Sequence, residues 1–324
     1  MTGTASASAA DPPVRAWLPT YSVLAVLWGS AFMFVAIGLG SFTAVGVSWG
    51  KHALAFVLLV PIMVLRRTPV PPRAMWRHMV VASLLFSVVP GTLFAFAQTH
   101  VSSSLAAILN AATPLITLLV IVVAFPEERL TRSRVVGLVI GFVGVLVVVG
   151  VWHGFGQGER IGLLAIAVAV LGPSIAFPYV RRHLSRTIDP ITFATTQVGV
   201  GAVVLLPLVL VTGLTSAPVT GKAVLGMLAL GILSTGTAYA LNFKVISLAG
   251  PSTASTIAYV IPVVAVGFGV LLLHDPMSWN EPVGGLIVIA GAAISQGRFG
   301  RGASAKAAEP ESDAAAEVAA SPPQ

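Results

Sequence analysis

Residues Leu105–Phe125 read LAAILNAATPLITLLVIVVAF, twenty-one positions without one charged side chain. At ~1.5 Å per residue a helix of that length crosses ~30 Å, the thickness of a bilayer's hydrocarbon core. Backbone groups in lipid have no water to bond, so a spanning segment is either a helix or a strand of a closed barrel. Barrel strands alternate apolar with polar residues, and this stretch does not. It is read as a membrane helix. Windows of similar character recur at Val23–Leu39 and Val135–Val151.

Composition generalises the reading. Of 324 residues 56% are hydrophobic and 9% charged, with a mean hydropathy of +0.94, whereas soluble domains carry roughly 25% charged residues. The chain is therefore expected to be an all-α integral membrane protein. A net charge of +7 would suggest nucleic acid in a soluble protein, but here the basic residues punctuate apolar spans and serve topology, so no nucleic-acid partner is expected. The chain has no cysteine, which excludes disulfides, thiolate metal sites and Cys nucleophiles.

Turn residues and charges divide the chain into ten spans, near 18–39, 44–65, 79–99, 103–125, 134–152, 161–180, 190–213, 222–244, 252–273 and 282–297. Residues 1–17 and 300–324, rich in Ala, Ser, Pro and Glu without apolar periodicity, are expected to be disordered tails. With a cytoplasmic N-terminus, fifteen of the 18 Lys and Arg fall on the inside, Arg160 and Lys222 fall outside, and Lys51 falls within a span. The positive-inside rule then places both termini in the cytoplasm of a multi-pass plasma-membrane protein. Adding or losing one span would put the later Arg clusters on the wrong side.

An offset of 148 residues lays Ala106–Pro114 (AAILNAATP) over Ala254–Pro262 (ASTIAYVIP), brings Glu127 and Glu128 near Asp275, and brings Gly137 near Gly284 and Gly285. The loop after the fourth span carries three Arg, whereas its counterpart, His274–Glu281, carries none. A repeat of five spans must invert its topology, which matches that asymmetry. The expected organisation is two inverted five-helix repeats, residues 18–152 and 161–297. Inverted repeats are a recurrent device of transporters, because halves of opposite topology can open to either side.

Leu27-Trp28-Gly29-Ser30, Leu105–Pro114 followed by Glu128-Arg129-Leu130-Thr131, the Gly137–Gly150 span, and Ser255-Thr256 through Tyr259 to Pro262-Val263 occur in that order. Together they resemble the EamA family of the drug/metabolite transporter superfamily, over roughly Leu27 to Ser295. Lys51 stands where the family often has Arg, and Asp275-Pro276 replaces Glu-Arg or Glu-Lys. The resemblance implies a ten-helix bundle with a central cavity, exporting amino acids, related metabolites or toxic compounds from the cytoplasm.

Among single residues Lys51 stands out. It lies ~10 Å inside the second span, where a charge costs at least ~2.5 kcal/mol. It either faces a cavity, where it would suit a carboxylate-bearing substrate, or snorkels outward beside Trp49. Ser103, Asn110, Thr113 and Thr117 share one face of the fourth span beside Pro114, and Ser255, Tyr259 and Pro262 echo them in the ninth; such stripes either line a cavity or glue helices together. Gln98 and Gln197 are isolated polar residues open to the same two readings. The substrate-binding candidates are Lys51, Gln98, Asn110, Thr113, Gln197, Ser255 and Tyr259. Pro114, Pro173, Pro178 and Pro262 are candidate gating points, because proline interrupts the helical ladder.

Nucleophile–base pairs, paired carboxylates and metal-ligand spacings are missing from the spans, so no catalytic residue, metal or cofactor is expected. There is no Walker A loop, so transport must be secondary or facilitative rather than ATP-driven. His52 is the one intramembrane candidate for proton coupling. The reading is a secondary exporter of amino acids or related small compounds, working by proton antiport through His52. A facilitative permease and a non-transporting receptor or scaffold are the alternatives, and the oligomeric state is monomer or homodimer.

Overall fold

A computed structural model describes residues 14–124, 131–152, 154, 156–184, 188–254 and 256–295. Among the described residues, eight helices are long and apolar enough to cross a membrane: α1 Val14–Leu39, α2 Ala44–Leu65, α3 Arg73–Ala97, α4 Ser103–Val123, α5 Arg132–Val149, α6 Gln157–Val180, α7 Pro190–Thr212 and α8 Gly221–Ala249. Two shorter apolar helices follow, α9 Ile257–Leu273 and α10 Asn280–Ser295. Among the described residues the only extended pairing is an isolated bridge between Phe42 and Thr215.

The helix ends follow local chemistry. Thr43, Ser102, Thr131 and Thr220 each accept a backbone N–H of the first turn that follows, and Asp189 accepts two, from Ile191 and Thr192, satisfying donors that a helix start leaves open. α1 and α3 begin four and six residues earlier than the apolar windows suggested. Each extension carries an Arg and a Trp, Arg15 with Trp17 and Arg73 with Trp76, residues suited to the headgroup layer. Residues 14–17 are thus helical, not a tail. The other expected tail residues, Glu127, Glu128, Arg129 and Ser255 lie outside the described residues.

Large apolar side chains cover the periphery. Val123 is 82% exposed and Val211 85%, an arrangement that water would penalise and acyl chains do not. Small residues face inward instead. α5 and α10 run antiparallel with their backbones nearly touching: a Cβ on Gly137 would stand 2.6 Å from the Gly291 carbonyl oxygen, and one on Gly144 would stand 2.6 Å from the Val288 nitrogen. The Gly137/Gly141 spacing is thus used within the chain, for close helix packing. Gly46 and Gly50 do likewise, against the Leu214 carbonyl and the Met227 side chain.

Contacts between helices recur in pairs five helices apart. α1 packs on α8 as α6 packs on α3, α1 on α9 as α6 on α4, and α2 on α8 as α7 on α3, while α2 packs on α7 and α5 on α10.

Two local distortions position the centre of the bundle. Pro114 cannot donate to the Asn110 carbonyl, and the Thr113 hydroxyl replaces it at 2.7 Å, so α4 narrows to a tighter turn at Ala111 and Ala112. α3 and α8 each contain a wide, π-type turn, over Leu84–Val88 and Ala229–Thr237. In α3 the Val89 N–H reaches back to the Leu84 carbonyl, just before Pro90, whose ring leaves the ladder one donor short.

Candidate functional site

The wide turns of α3 and α8 face a cavity of about 280 Å³ in the middle of the bundle. Its wall is mainly aromatic and apolar: Trp28 and Phe32 from α1, Phe86 and Phe94 from α3, and Ile261 from α9. Phe32 and Phe94 meet edge to face at 5.7 Å, a favourable aromatic geometry that stiffens this side. Polar groups enter at few points: Lys51, Ser87, Gln98, Asn110, Ser234, Thr235 and Tyr239.

Lys51 is partly buried and its open surface is the cavity. A Cβ on Gly91 would stand 2.6 Å from the Lys51 ammonium nitrogen, so the glycine of α3 admits the charge to the wall. Among the described residues no carboxylate pairs with Lys51. An ammonium group in an apolar setting without a counter-charge carries a desolvation cost.

Gln98 is a second polar side chain of the wall. Both amide atoms are shielded from water and have no hydrogen-bond partner. Buried amides are ordinarily satisfied, and this one lines the cavity with Asn110.

His52, one residue after Lys51, is fully buried behind the wall. Its Nδ1 lies 2.6 Å from the Ser48 carbonyl. A carbonyl only accepts, so Nδ1 carries the proton, and in the neutral ring Nε2 accepts from the Ser87 hydroxyl at 2.7 Å. Tyr239 lies within reach of the same Ser87. The imidazole fits because position 201 of α7 is glycine, where a Cβ would come within 2.7 Å of the His52 Cγ.

Of the residues singled out in the sequence, Lys51, Gln98, Asn110 and Pro173 meet at this cavity. The other described candidates do not line it. Thr113 bonds back to Asn110 and its own carbonyl takes the Ser174 hydroxyl at 3.3 Å; Gln197 is buried within α7. Tyr259 packs with the α4 and α6 core, and Pro114, Pro178 and Pro262 sit within their helices away from the wall. Ser103 instead binds Asp275.

Sequence reasoning missed the aromatic wall and the small polar residues Ser87, Ser234 and Thr235. A usable signal existed: the offset of 148 places Ser87 over Thr235, both in the wide turns and both on the cavity.

Comparison with known proteins gives one description throughout. The model of the EamA-like transporter family matches twice, at residues 17–150 and 160–296. The uncharacterized inner membrane transporter YedA of Escherichia coli (strain K12) is 28% identical over 88% of this chain and 93% of its own length. An uncharacterized transporter of Archaeoglobus fulgidus is 24% identical over 87% of this chain and 98% of its own. A probable terminal-alkyne amino-acid exporter of Streptantibioticus cattleyicolor is 29% identical over 83% and 89% respectively. One crystal structure superimposes with a TM-score of 0.62 at 19% identity, covering 87% of this chain and 97% of that one, a likeness of fold.

Proposed function

The chain belongs to the EamA-like transporter family, and on that premise we propose that it exports amino acids or related small carboxylate-bearing compounds through the central cavity. It is a multi-pass membrane protein and a transporter by family. The observation that carries the finer reading is the unpaired Lys51 ammonium on the wall of an otherwise aromatic cavity. A substrate carboxylate would supply the missing counter-charge, Gln98 and Asn110 would take its polar remainder, and the rings would pack its apolar part. A volume of about 280 Å³ lies just below the ~300–1,000 Å³ usual for pockets that hold drug-sized ligands, which suits a molecule of amino-acid size. The relative named a probable terminal-alkyne amino-acid exporter agrees with this substrate class.

The working architecture is two five-helix halves, 18–152 and 161–297, of opposite topology, with both termini cytoplasmic. The double family match, the paired helix contacts and the antiparallel α5–α10 crossing support it. Because the chain has no cysteine, single cysteines placed at Thr68 and Ser216 test it directly. A membrane-impermeant thiol reagent added outside intact cells labels Ser216→Cys and leaves Thr68→Cys unlabelled.

Export is driven by proton antiport with His52 as the carrier, reached from the cavity through Ser87. Facilitated export is the second reading, favoured by the fact that both His52 nitrogens are already hydrogen-bonded in a closed niche. Efflux of a labelled neutral amino acid from proteoliposomes separates these readings. Antiport requires that an imposed proton gradient accelerate efflux and that His52→Ala abolish the acceleration. In the same assay Lys51→Ala cuts efflux at least about tenfold, equivalent to about 1.4 kcal/mol of lost interaction, while Lys222→Ala matches the parent protein. Equal activity of the two Lys variants would sink the role given to Lys51.

A further inference from the structure

A second cavity, of about 200 Å³, lies at the end of the bundle where α5 finishes and α6 and α10 begin. Glu159 from the first turn of α6, Asn280 and Glu281 from the start of α10, and the end of α5 at Val148 and Val149 form its wall.

Asn280 is 4% exposed. Its amide nitrogen donates to the Val147 carbonyl at 3.2 Å and the Val148 carbonyl at 3.0 Å, so the side chain is clamped to the end of α5. Its Oδ1 is shielded from water and has no partner. Glu281 uses one oxygen to accept the Ser278 N–H at 3.4 Å, while its Oε2 is also buried without a partner. Buried acceptors are normally satisfied; here two from adjacent residues are not.

The side-chain charges that act on Glu281 have one sign. Asp275 and Glu159 are the charges that bear on Glu281. The carboxyl end of the 18-residue α5 adds the partial negative charge of a helix terminus. No basic side chain is among the described residues of the wall, and neighbouring Arg160 is exposed.

Acceptors without partners, among carboxylates and with no basic side chain on the described wall, select a cation. We propose that this pocket binds one small cation, an alkali metal ion or a primary ammonium group, held by Asn280 Oδ1, Glu281 Oε2 and the Glu159 carboxylate. Hard oxygen donors of this kind suit such ions. The site is separate from the central cavity and stands or falls independently of what that cavity carries.

The test uses the full-length protein in detergent, melted in sodium, potassium, methylammonium or choline chloride at equal ionic strength. Choline, whose quaternary nitrogen has no N–H to donate and is screened by methyl groups from close oxygen contact, sets the baseline. At least one small cation raises the melting temperature saturably by about 2–4 °C over choline. Glu159→Gln and Glu281→Gln, which keep shape and remove charge, each melt like the parent in choline and lose the cation effect. A rise with sodium or potassium alone identifies an alkali-ion site, and a rise with methylammonium alone identifies an ammonium site. If no cation exceeds choline, or if the rise survives in Glu159→Gln, the proposal is overturned; Glu159→Gln decides alone should Glu281→Gln misfold.

Discussion

Asp275 closes a helix to which it does not belong: its Oδ2 accepts the Ser104 backbone N–H at 3.0 Å and the Ser104 hydroxyl at 2.8 Å, with the Ser103 hydroxyl at 2.7 Å. The carboxylate thus sits at the positive end of α4, tied there from the loop between α9 and α10. Charge-assisted bonds of this kind are stronger than neutral ones.

Asp275→Ala leaves those donors open and lowers unfolding free energy by about 2–3 kcal/mol, with Asp275→Asn, which keeps one acceptor, losing about 1. Denaturant melting in detergent measures both. Stability within about 0.5 kcal/mol of the parent for the Ala variant would contradict the capping role.

Gly91→Ala places a methyl where the Lys51 ammonium now lies, 2.6 Å away. The displaced charge no longer reaches the cavity wall, and amino-acid efflux falls about as far as in Lys51→Ala, about tenfold, while yield and melting temperature change little. Gly267, where a Cβ meets nothing within 4 Å, is the matched control. Parent-like efflux from Gly91→Ala would show that the ammonium does not need its present position.

Gly201→Ala drives a methyl into the His52 ring, within 2.8 Å of Nε2, and destabilises the protein by about 1–3 kcal/mol through overpacking. The double variant Gly201→Ala/His52→Ala recovers part of that loss, because the methyl then fills space the ring has left. Additive losses in melting experiments would refute direct contact.

At the α5–α10 crossing, Gly144→Ala meets the Val288 backbone nitrogen at 2.6 Å, an obstacle that no rotamer change removes. A loss of about 2 kcal/mol or more is expected, against less than about 0.5 for Val139→Ala on the lipid-facing side of the same helix. Similar melting temperatures for the two would mean the helices separate easily.

Much of the fold was legible because lipid imposes a simple code. The uncharged runs give the helices, and the Arg clusters give their punctuation. The site was legible only where a residue violates that code, as Lys51 does. Thr113 shows why a polar stripe misleads: a uniform helical period carries it onto the face of Asn110, but Pro114 removes a donor and the Thr113 hydroxyl turns back to replace it. The aromatic wall left no comparable trace, since Phe86 and Phe94 look like any other lipid-compatible residue until the wide turn of α3 rotates them inward. Asp275 lies in a loop that carries no Arg, and the three donors at Ser103 and Ser104 make it a cap.

The bare backbones of α5 and α10 tie the history of one half of the chain to that of the other. Glycines 137 and 144 have no room for a side chain unless the α10 backbone at 284, 288, 291 or 295 retreats, and glycines 284 and 291 have none unless the α5 backbone at 137, 141, 144 or 148 does. Substitutions on the two sides therefore cannot accumulate independently. In any lineage descended from this sequence, these positions are expected to change in compensating pairs or to stay as they are, however far the rest of the chain drifts.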